Sequence, residues 1–147
     1  MPSIFRTVDR ALLLSVRPKY AEKLLRGEKR VELRRTRPKV SRGDLVLIYE
    51  SSPTMALVGY GIVNKVMSSA SANLLWPRVR NRAGIVRKEF DWYFSGATRV
   101  FAIEFSEIKT LREPVWLNKL RRLWNGFHPP QTYRYVSREQ MNLVFGT

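Results

Sequence analysis

Charged side chains alternate over a short stretch that follows Gly27, in the order Lys29, Arg30, Glu32 and Arg34. A lysine ammonium at this point can reach a phosphate or carbonyl oxygen, and a carboxylate between two guanidinium groups stays ionised and orients them. Residues 30, 32 and 34 would share one face of a strand, because successive side chains alternate sides. The pattern is typical either of a preformed cationic site or of a solvated ladder of charges on an exposed strand face.

Lys29 and Glu32, together with Tyr49 further along the chain, are the candidate catalytic residues. For metal-independent cleavage of a phosphodiester, Lys29 would stabilise the developing negative charge, while Glu32 or Tyr49 would move protons. His128 is the only histidine, there is no cysteine, and no carboxylates follow a metal-ligand spacing, so neither a metal site nor another cofactor is predicted. Gly-x-Ser-x-Gly and Gly-x-x-x-x-Gly-Lys-Ser motifs are also absent from the sequence.

The charge of the whole chain indicates the kind of partner. The 147 residues include 27 Lys and Arg against 12 Asp and Glu, a formal net charge of +15. Self-repulsion opposes the compact state of so basic a chain, and the usual reason for such a charge is a polyanion whose phosphates the cations contact. Arginine outnumbers lysine, and its planar guanidinium suits phosphate contacts and stacking on bases. We predict a nucleic-acid partner; the alternatives are an anionic lipid surface or a charge that serves only solubility.

No segment of the sequence predicts a membrane span or a signal peptide. About 18 consecutive apolar residues are needed to cross a bilayer, and the apolar run at residues 11–14 is far shorter. That run also lacks the length and the cleavage pattern of a signal peptide. The absence of cysteine fits a reducing compartment, so the sequence predicts a soluble cytoplasmic protein with no membrane partner.

Apolar periodicity and turn residues divide the chain into short elements. Predicted strands cover residues 11–16, 30–34, 45–49, 57–66, 99–108 and 133–136. Predicted helices cover residues 18–26, 68–79, 87–94, 114–124 and 137–144. Pro18 suits the first turn of a helix and Gly27 its C-terminal cap, whereas Pro77 argues against the second helix. Residues 1–10 show no period and are predicted to be a loose N-terminal arm, followed by a single domain over residues 11–147.

Strands that follow each other between residues 30 and 66 without a helix between them disfavour a doubly wound parallel fold. Gly59 and Gly61 lie inside a predicted strand and indicate a bulge, a bend, or the close approach of another backbone. The predicted class is α+β: a small β-barrel of about five to six mostly antiparallel strands with peripheral helices. Its predicted core residues are Leu13, Val31, Leu33, Leu45, Leu47, Val58, Ile62, Phe101 and Ile103.

Several short motifs stand in a definite order over the first half of the chain. They are Leu13-Leu14-Ser15-Val16-Arg17-Pro18, then Gly27-Glu28-Lys29-Arg30-Val31-Glu32-Leu33-Arg34, then the turn Gly43-Asp44 before Leu45-Val46-Leu47-Ile48-Tyr49, then Val58-Gly59-Tyr60-Gly61. This order resembles the ASCH domain family, a branch of the PUA-like superfamily, whose pattern includes Gly-x-Lys-x-x-Glu-x-Arg. The resemblance covers about residues 12–66 clearly, and we expect it to continue to residue 105 and to residues 129–133.

The resemblance implies a PUA-like barrel with a cleft beside the helix that follows the first strand. In the family this cleft carries the residues of the Gly-x-Lys-x-x-Glu-x-Arg pattern and binds RNA, so RNA is favoured over DNA. Some members act as coactivator modules, some are similar to hydrolases of acetylated cytidine, and some have been proposed as ribonucleases. The hydrolases have a threonine three residues after the motif lysine, whereas this sequence has Glu32, which argues against a threonine nucleophile.

Aromatic residues among arginines are the other candidates for a nucleic-acid site. Trp124, Phe127, Tyr133 and Tyr135 lie near Arg134 in the sequence, and such rings either stack on bases or belong to the core. Together with the charged motif after Gly27 and the arginines at residues 78, 80, 121 and 122, they define one predicted set of nucleic-acid-binding residues. The residues predicted to bind nucleic acid are Arg17, Lys29, Arg30, Glu32, Arg34, Arg35, Tyr49, Ser51, Arg78, Arg80, Arg121, Arg122, Gln131, Tyr133 and Arg134.

Two functions of different classes follow from this set. The first is a binding module that holds single-stranded RNA, or a nucleic acid with a modified base, in a basic cleft. The second is an enzyme in the same cleft, either a metal-independent ribonuclease or a hydrolase of a modified nucleoside. A third function is phosphate binding alone by a regulator with a basic surface. The sequence leaves open whether the cleft is catalytic, which base or modification it recognises, and the oligomeric state.

Overall fold

Six strands pair into one sheet in the computed structural model, which describes residues 4–146. They are β1 (Arg10–Val16), β2 (Val31–Arg34), β3 (Leu45–Glu50), β4 (Ala56–Ser69), β5 (Val100–Trp116) and β6 (Tyr133–Ser137). Their order in the sheet is β2-β5-β4-β3-β1-β6. Every neighbouring pair is antiparallel except β1 with β3, which is parallel. The α+β class and the mostly antiparallel sheet are therefore confirmed.

Six short helices accompany the sheet within residues 4–146. They are α1 (Ile4–Thr7), α2 (Pro18–Arg26), α3 (Ala72–Val79), α4 (Arg87–Phe94), α5 (Leu117–Leu123) and α6 (Arg138–Phe145). Helix α2 has the predicted bounds, with Pro18 in its first turn and Gly27 as a left-handed cap at φ 81°. The capping box of Ser137 and Gln140 begins α6. None of the helices in the described chain is long and apolar enough to cross a membrane.

The predicted barrel is not closed by strand pairing. The outermost strands of the sheet are β2 and β6, and neither pairs with the other. The Arg34 side chain on β2 instead donates hydrogen bonds to the carbonyl oxygens of Ser15 on β1 and Thr132 before β6. The two borders of the sheet therefore approach each other through a side chain, and an open six-stranded sheet replaces the barrel of the prediction.

Strands β4 and β5 are longer than predicted, and their length moves the helices that adjoin them. They pair from Ala56 with Trp116 to Ser69 with Val100, with several shifts of register. One shift falls between Leu57–Val115 and Gly59–Thr110, so β5 bulges over residues 111–114 and accommodates a proline there. Consequently α5 begins at Leu117 rather than at residue 114, and α3 begins at Ala72, after its N-cap, rather than at residue 68.

Close backbone approach explains the first strand glycine in β4. A Cβ atom on Gly59 would lie 2.6 Å from the Lys109 carbonyl oxygen and 2.6 Å from Leu25 Cδ2. The position therefore accepts no side chain without displacing the neighbouring strand or helix α2. Of the three alternatives that the sequence left open, the structure shows close approach together with a bulge at the same place.

The core prediction is confirmed with one exception. Eight of the nine predicted side chains are buried, and Ile62 is half-buried at the margin of a core cluster. Strand β2 differs from the half-buried strand that its alternation predicted, because all four of its residues are buried. Val31 and Leu33 pack in the cluster with α3 and α4, while Glu32 and Arg34 are covered on the other face. Both faces of this short strand are therefore enclosed.

The segment predicted as a loose arm includes regular structure, because residues 4–7 form helix α1, which packs on the sheet, and residues 8 and 9 connect it to β1. Helix α1 places Phe5 in the core, where its ring lies 5.1 Å from that of Tyr60 and 4.4 Å from that of Phe145. Strand β1 begins at Arg10, inside the segment predicted as an arm. Residues 1–3 of that predicted arm lie outside the described residues.

Candidate functional site

A cleft of about 940 Å³ opens where the ends of β1 and β2 meet α2, α4 and α5. Its lining residues come from six separate segments of the chain. They are Ser15, Val16, Arg17, Tyr20, Lys29, Glu32, Leu33, Arg34, Arg35, Thr36, Tyr49, Ser51, Ser52, Met55, Ile85, Glu89, Trp92, Tyr93, Leu117, Arg121, Pro129, Pro130, Gln131 and Thr132. The cleft lies beside the helix that follows the first strand, as the resemblance implied.

Arg34 occupies the floor of the cleft and holds three segments together. Its Nη2 atom donates to Glu32 Oε2 at 2.6 Å and to the Ser15 carbonyl oxygen at 3.0 Å, and its Nη1 atom donates to the Thr132 carbonyl oxygen at 3.2 Å. Ser15 adds a hydrogen bond from its Oγ atom to the Pro130 carbonyl oxygen at 2.6 Å. These contacts fix residues 130–132 against β1 and give the floor a defined shape.

Lys29 is buried beneath this floor rather than presented to a ligand. Only 2% of the residue is exposed, and its ammonium donates to the Ala83 carbonyl oxygen at 2.7 Å. The Lys29 Nζ atom lies 3.8 Å from Glu32 Oε1 and 5.3 Å from the centre of the Tyr20 ring. Burial lowers the pKa of Lys29, and the Glu32 carboxylate opposes that shift. The ammonium is thus already bonded within the protein.

One of the two cations predicted beside Glu32 differs in the structure. We expected Glu32 between the guanidinium groups of Arg30 and Arg34, but in the structure its two neighbours are Lys29 and Arg34. Strand β2 begins at Val31, and the backbone N–H of Arg30 donates to the Arg82 carbonyl oxygen. Arg30 therefore precedes the strand and is exposed, so the period-two alternation does not extend to it.

Two buried polar atoms of cleft residues have no hydrogen-bond partner within residues 4–146, and these are Arg34 Nε and the Tyr49 hydroxyl. Tyr49 is 1% exposed and packs its ring against Phe127. Burial raises the pKa of the Tyr49 hydroxyl, and the positive charge of Arg121 partly offsets the rise. At neutral pH the hydroxyl therefore keeps its proton, so both atoms are hydrogen-bond donors at the floor of the cleft.

Helix α4 and Ile85, two residues before its start, form one side of the cleft, which we call the α4 wall: Ile85, Glu89, Trp92 and Tyr93. Glu89 accepts from Lys19 Nζ at 2.6 Å and from the Tyr20 hydroxyl at 3.3 Å, and the hydrogen bond from Lys19 lowers the pKa of the Glu89 carboxyl. Tyr93 donates from its hydroxyl to the Leu33 carbonyl oxygen at 3.1 Å. Trp92 is left 76% exposed.

Helix α5 and the loop after β3 form a second side, which we call the α5 wall: Ser51, Ser52, Met55, Leu117 and Arg121. The backbone N–H of Leu117 donates to the Met55 carbonyl oxygen and fixes the start of α5 against this loop. Leu117 is buried, whereas Arg121 is exposed on the helix face that borders the cleft. The α5 wall therefore carries a guanidinium group without a neighbouring carboxylate in the cleft lining.

Nine of the fifteen residues predicted to bind nucleic acid line this cleft. They are Arg17, Lys29, Glu32, Arg34, Arg35, Tyr49, Ser51, Arg121 and Gln131. The other six lie elsewhere and are Arg30, Arg78, Arg80, Arg122, Tyr133 and Arg134. The structure thus brings the motif together with the ends of β1 and β3 and with part of α5, but it leaves the arginines of α3 apart.

Most of the tyrosine and tryptophan rings of the cleft were missed by sequence reasoning. Tyr20 and Tyr93 belong to the apolar faces of their predicted helices, which indicates core packing, and both are half-buried. Trp92 lies outside the apolar side predicted for its helix and is exposed. Conversely, Trp124 and Phe127, which are stacking candidates from the sequence, are buried in the core. Among the described residues, no three His, Cys, Asp or Glu side chains come together as a metal-binding group.

An α+β fold with a mostly antiparallel sheet and a basic cleft beside its first long helix defines a PUA-like domain. A family model described as "ASCH domain" matches residues 14–109, and the chain belongs to this family. The predicted resemblance is confirmed.

Two curated proteins are similar in sequence. The ASCH domain-containing ribonuclease of Zymomonas mobilis is 25% identical over 128 residues, which cover 87% of this chain and 85% of that protein. The large ribosomal subunit protein uL22 of Ureaplasma parvum serovar 3 is 29% identical over 126 residues. These cover 85% of this chain but only 39% of the uL22 protein.

Solved structures of the Zymomonas mobilis ASCH protein have the same fold. The unaltered protein matches with a TM-score of 0.85 and 24% identity, over 92% of this chain and 93% of that chain. A mutant of it with tyrosine replaced by phenylalanine matches with a TM-score of 0.86 and 23% identity, over 92% of this chain and 96% of that chain. At this level of identity the likeness concerns the fold.

Proposed function

We propose that the cleft binds single-stranded nucleic acid, and RNA in preference to DNA. The observation that carries the proposal is the composition of the lining, in which cations and aromatic rings surround one opening. The cations are Arg17, Arg34, Arg35 and Arg121, with Lys29 buried beneath the floor, against the carboxylates of Glu32 and Glu89. The tyrosine and tryptophan rings are Tyr20, Tyr49, Trp92 and Tyr93. Phosphates and unstacked bases are the ligand groups that such a lining accommodates.

The size of the cleft favours unpaired nucleotides. Ligand sites of about 300–1,000 Å³ hold small molecules, and the cleft of about 940 Å³ is at the upper end of this range. Such a volume takes about one or two nucleotides with their bases unstacked, but not a duplex. The donor atoms at the floor, Arg34 Nε and the Tyr49 hydroxyl, suit a base or phosphate oxygen that accepts hydrogen bonds.

Membership of the ASCH family supports the proposal, since one relative is named a ribonuclease and another is a ribosomal protein. The net charge of +15 supports it further, because counterion release from phosphates favours binding to any nucleic acid. These supports concern nucleic acid in general. The preference for RNA and for single strands is the finer part of the proposal.

Fluorescence anisotropy with end-labelled oligonucleotides tests the proposal. The panel comprises one sequence as single-stranded RNA, single-stranded DNA, duplex RNA and duplex DNA, each at the same salt concentration. We expect the tightest binding to single-stranded RNA. Equal affinity for all four would show phosphate binding by the surface alone, and tighter binding to either duplex would contradict a cleft that holds unpaired nucleotides.

A second candidate function is metal-independent ribonuclease activity in the same cleft. It is favoured by the unpartnered Tyr49 hydroxyl and by the named activity of the Zymomonas mobilis relative. In cleavage, the ribose 2′-oxygen bonds to phosphorus, the bond from phosphorus to the 5′-oxygen breaks, and the 2′ proton leaves to water. Tyr49, whose raised pKa keeps it protonated, would supply a proton to the departing 5′-oxygen. Arg34 and Arg121 would stabilise the charge on the phosphate oxygens.

The other two catalytic candidates are less suitably placed. Glu32 accepts from Arg34, and Lys29 donates to the Ala83 carbonyl oxygen, so both side chains are already bonded within the protein. We assign them a positioning role, in which they hold Arg34 at the floor. No observation on the described residues favours hydrolysis of a modified nucleoside over phosphodiester cleavage.

The Tyr49→Phe variant distinguishes the two candidate functions. It removes a buried hydroxyl that has no partner, so the free energy of unfolding should stay the same or rise. If the protein is a ribonuclease, cleavage of a single-stranded RNA should fall by about 100-fold or more while binding stays within about tenfold. The assay is gel electrophoresis of labelled RNA with and without a chelator.

Tyr60→Phe is the matched control, because Tyr60 is a buried tyrosine that does not line the cleft. This variant should cleave as the unaltered protein does. Equal cleavage by Tyr49→Phe and the unaltered protein would remove Tyr49 from the reaction, and no cleavage by either would leave the binding function alone.

A further inference from the structure

Two cations beside the α4 wall, Lys19 and Arg35, are engaged within the protein. Lys19 is paired with Glu89, its Nζ atom 2.6 Å from the carboxylate oxygen. Arg35 donates from Nη1 to the carbonyl oxygens of Tyr93 at 2.8 Å and Ser95 at 3.0 Å. These donors are already used, and Arg17, whose charge acts on the Tyr93 hydroxyl, is a further cation of the lining on this side. The α4 wall therefore offers a phosphate less free positive charge than a surface with several unpaired cations does.

The cations of α5 are free by comparison. Leu117 and Leu120 are buried, which leaves Lys119, Arg121 and Arg122 on the exposed face of the helix. Within residues 4–146 these three side chains have no ion pair and donate no hydrogen bond to another residue. Their charges are therefore available to a ligand outside the helix.

Arg121 connects this free charge to the floor of the cleft. It lines the same cleft as Tyr49, and its charge acts on the Tyr49 hydroxyl. Arg122 and Lys119 do not line the cleft, but both are exposed on the same helix, within two residues of Arg121. A chain of phosphates can therefore run from the floor, past Arg121, onto the outer face of α5.

The α4 wall carries the surface that suits a base. Trp92 is 76% exposed at the edge of the cleft, and Ile85 and Tyr93 line the cleft beside it. An exposed indole ring is a stacking platform for any base, and it contributes no charge. Its neighbour Glu89 disfavours phosphate at the same place.

We propose that the bound strand has a defined orientation in the cleft, with its phosphates along α5 and a base stacked on Trp92. This inference rests on the proposed function and deepens it: it assigns the phosphates to the cationic surface of α5 and the base to the aromatic surface of the α4 wall. Arg121 and Arg122 are the phosphate-binding residues, and Trp92 is the residue that recognises the presence of a base. The ligand class is an unpaired nucleotide strand.

Two octamers of equal charge test this division. One is single-stranded oligouridylate, and the other is a chain of abasic tetrahydrofuran–phosphate units, both labelled at one end. Affinities are measured by anisotropy over a series of salt concentrations. Circular dichroism melting of each variant shows whether its fold is intact.

The two kinds of variant should have different effects on the affinities for the two octamers. Arg121→Gln with Arg122→Gln should weaken both octamers alike and make the salt slope shallower by about 1.4, at about 0.7 for each phosphate contact on a single strand. Trp92→Ala should weaken oligouridylate by about tenfold, as loss of one stacking contact does. It should leave the abasic octamer and both salt slopes unchanged.

Matched controls come from similar residues outside the cleft. Trp116→Ala removes an indole that is 52% exposed but does not line the cleft, and Arg87→Gln removes a cation that is paired with Asp91. Neither control should change affinity more than about twofold. A Trp92→Ala effect of equal size on both octamers, or a salt slope unchanged by the α5 variant, would overturn the proposed orientation of the strand alone. Failure of the unaltered protein to bind either octamer would overturn both the proposed function and the proposed orientation.

Discussion

A lysine that is almost completely buried is unusual, and the charge of Lys29 is compensated by the Ala83 carbonyl oxygen, the Glu32 carboxylate and the face of the Tyr20 ring. Burial is the largest influence on its pKa and lowers it below the ordinary value of 10.5. Between the lowered pKa and 10.5 the unfolded chain holds a proton on this residue that the folded chain has lost. Folding stability therefore rises with pH in that window, because the unfolded state binds more protons there.

Lys29→Met tests this at the scale of one residue, since methionine fills similar space and does not titrate. The free energy of unfolding of the native protein, minus that of the variant, should increase as pH rises towards 10.5. The increase is at most about 1.4 kcal/mol for each pH unit inside the window. Urea unfolding of both proteins between about pH 7 and pH 10 gives the difference. A difference that falls with pH would mean that folding raises the pKa of Lys29.

The open border of the sheet is the main feature at the scale of elements. Strand β2 has only four residues, and within residues 4–146 it pairs with β5 alone, so its other edge has no strand partner there. The Arg34 fork occupies that gap and bonds β2 to β1 and to the segment before β6. A guanidinium is suited to this place because it offers several donors in one plane. The floor of the cleft and the closure of the fold therefore depend on the same side chain.

Arg34→Lys keeps the charge but removes the fork. One ammonium at the end of a shorter, flexible chain cannot reach Glu32, Ser15 and Thr132 together. We expect the free energy of unfolding to fall by about 1–3 kcal/mol, the cost of leaving a buried acceptor unsatisfied. Arg26→Lys, at the exposed ion pair with Glu22, is the control and should change it by less than about 0.5 kcal/mol. Chemical denaturation measures both, and equal losses would show that the fork adds nothing.

The distribution of charge distinguishes this protein at the scale of the whole molecule. Among the described residues, seven of the twelve acidic side chains form ion pairs with basic ones, and Lys19–Glu89, Arg34–Glu32 and Arg82–Glu104 are examples. The excess of cations that gives +15 is therefore carried by side chains without acidic partners, including the exposed face of α5. Such a surface attracts polyanions over a distance set by the ionic strength.

Binding of single-stranded RNA should consequently depend strongly on salt. Log affinity should fall linearly with log salt, with a slope of about −0.7 for each phosphate that is neutralised. With about five phosphates in contact, affinity would fall about 100-fold between 50 and 200 mM salt. Anisotropy titrations over this range provide the slope. An affinity that does not change with salt would remove the electrostatic basis of the proposal.

Local interactions were predictable from the sequence because they depend on neighbours along the chain. Helix α2 begins at Pro18 and ends at Gly27, and α6 begins at its capping box, as the residues themselves indicate. Alternation and short apolar runs located the strands and eight of nine core residues for the same reason. The ordered motifs also predicted the family, and with it the cleft beside α2.

Contacts between distant segments were decided only by the tertiary structure. Arg34, Tyr49, Trp92 and Arg121 meet at one cleft because the sheet order brings β1, β2 and β3 beside helices that follow much later in the chain. No period in the sequence reports that order. The same packing covers Lys29 and Glu32, whose alternating charges alone fit a solvated strand equally well. Burial is a property of the neighbours that fold over a residue, and these neighbours come from elsewhere in the chain.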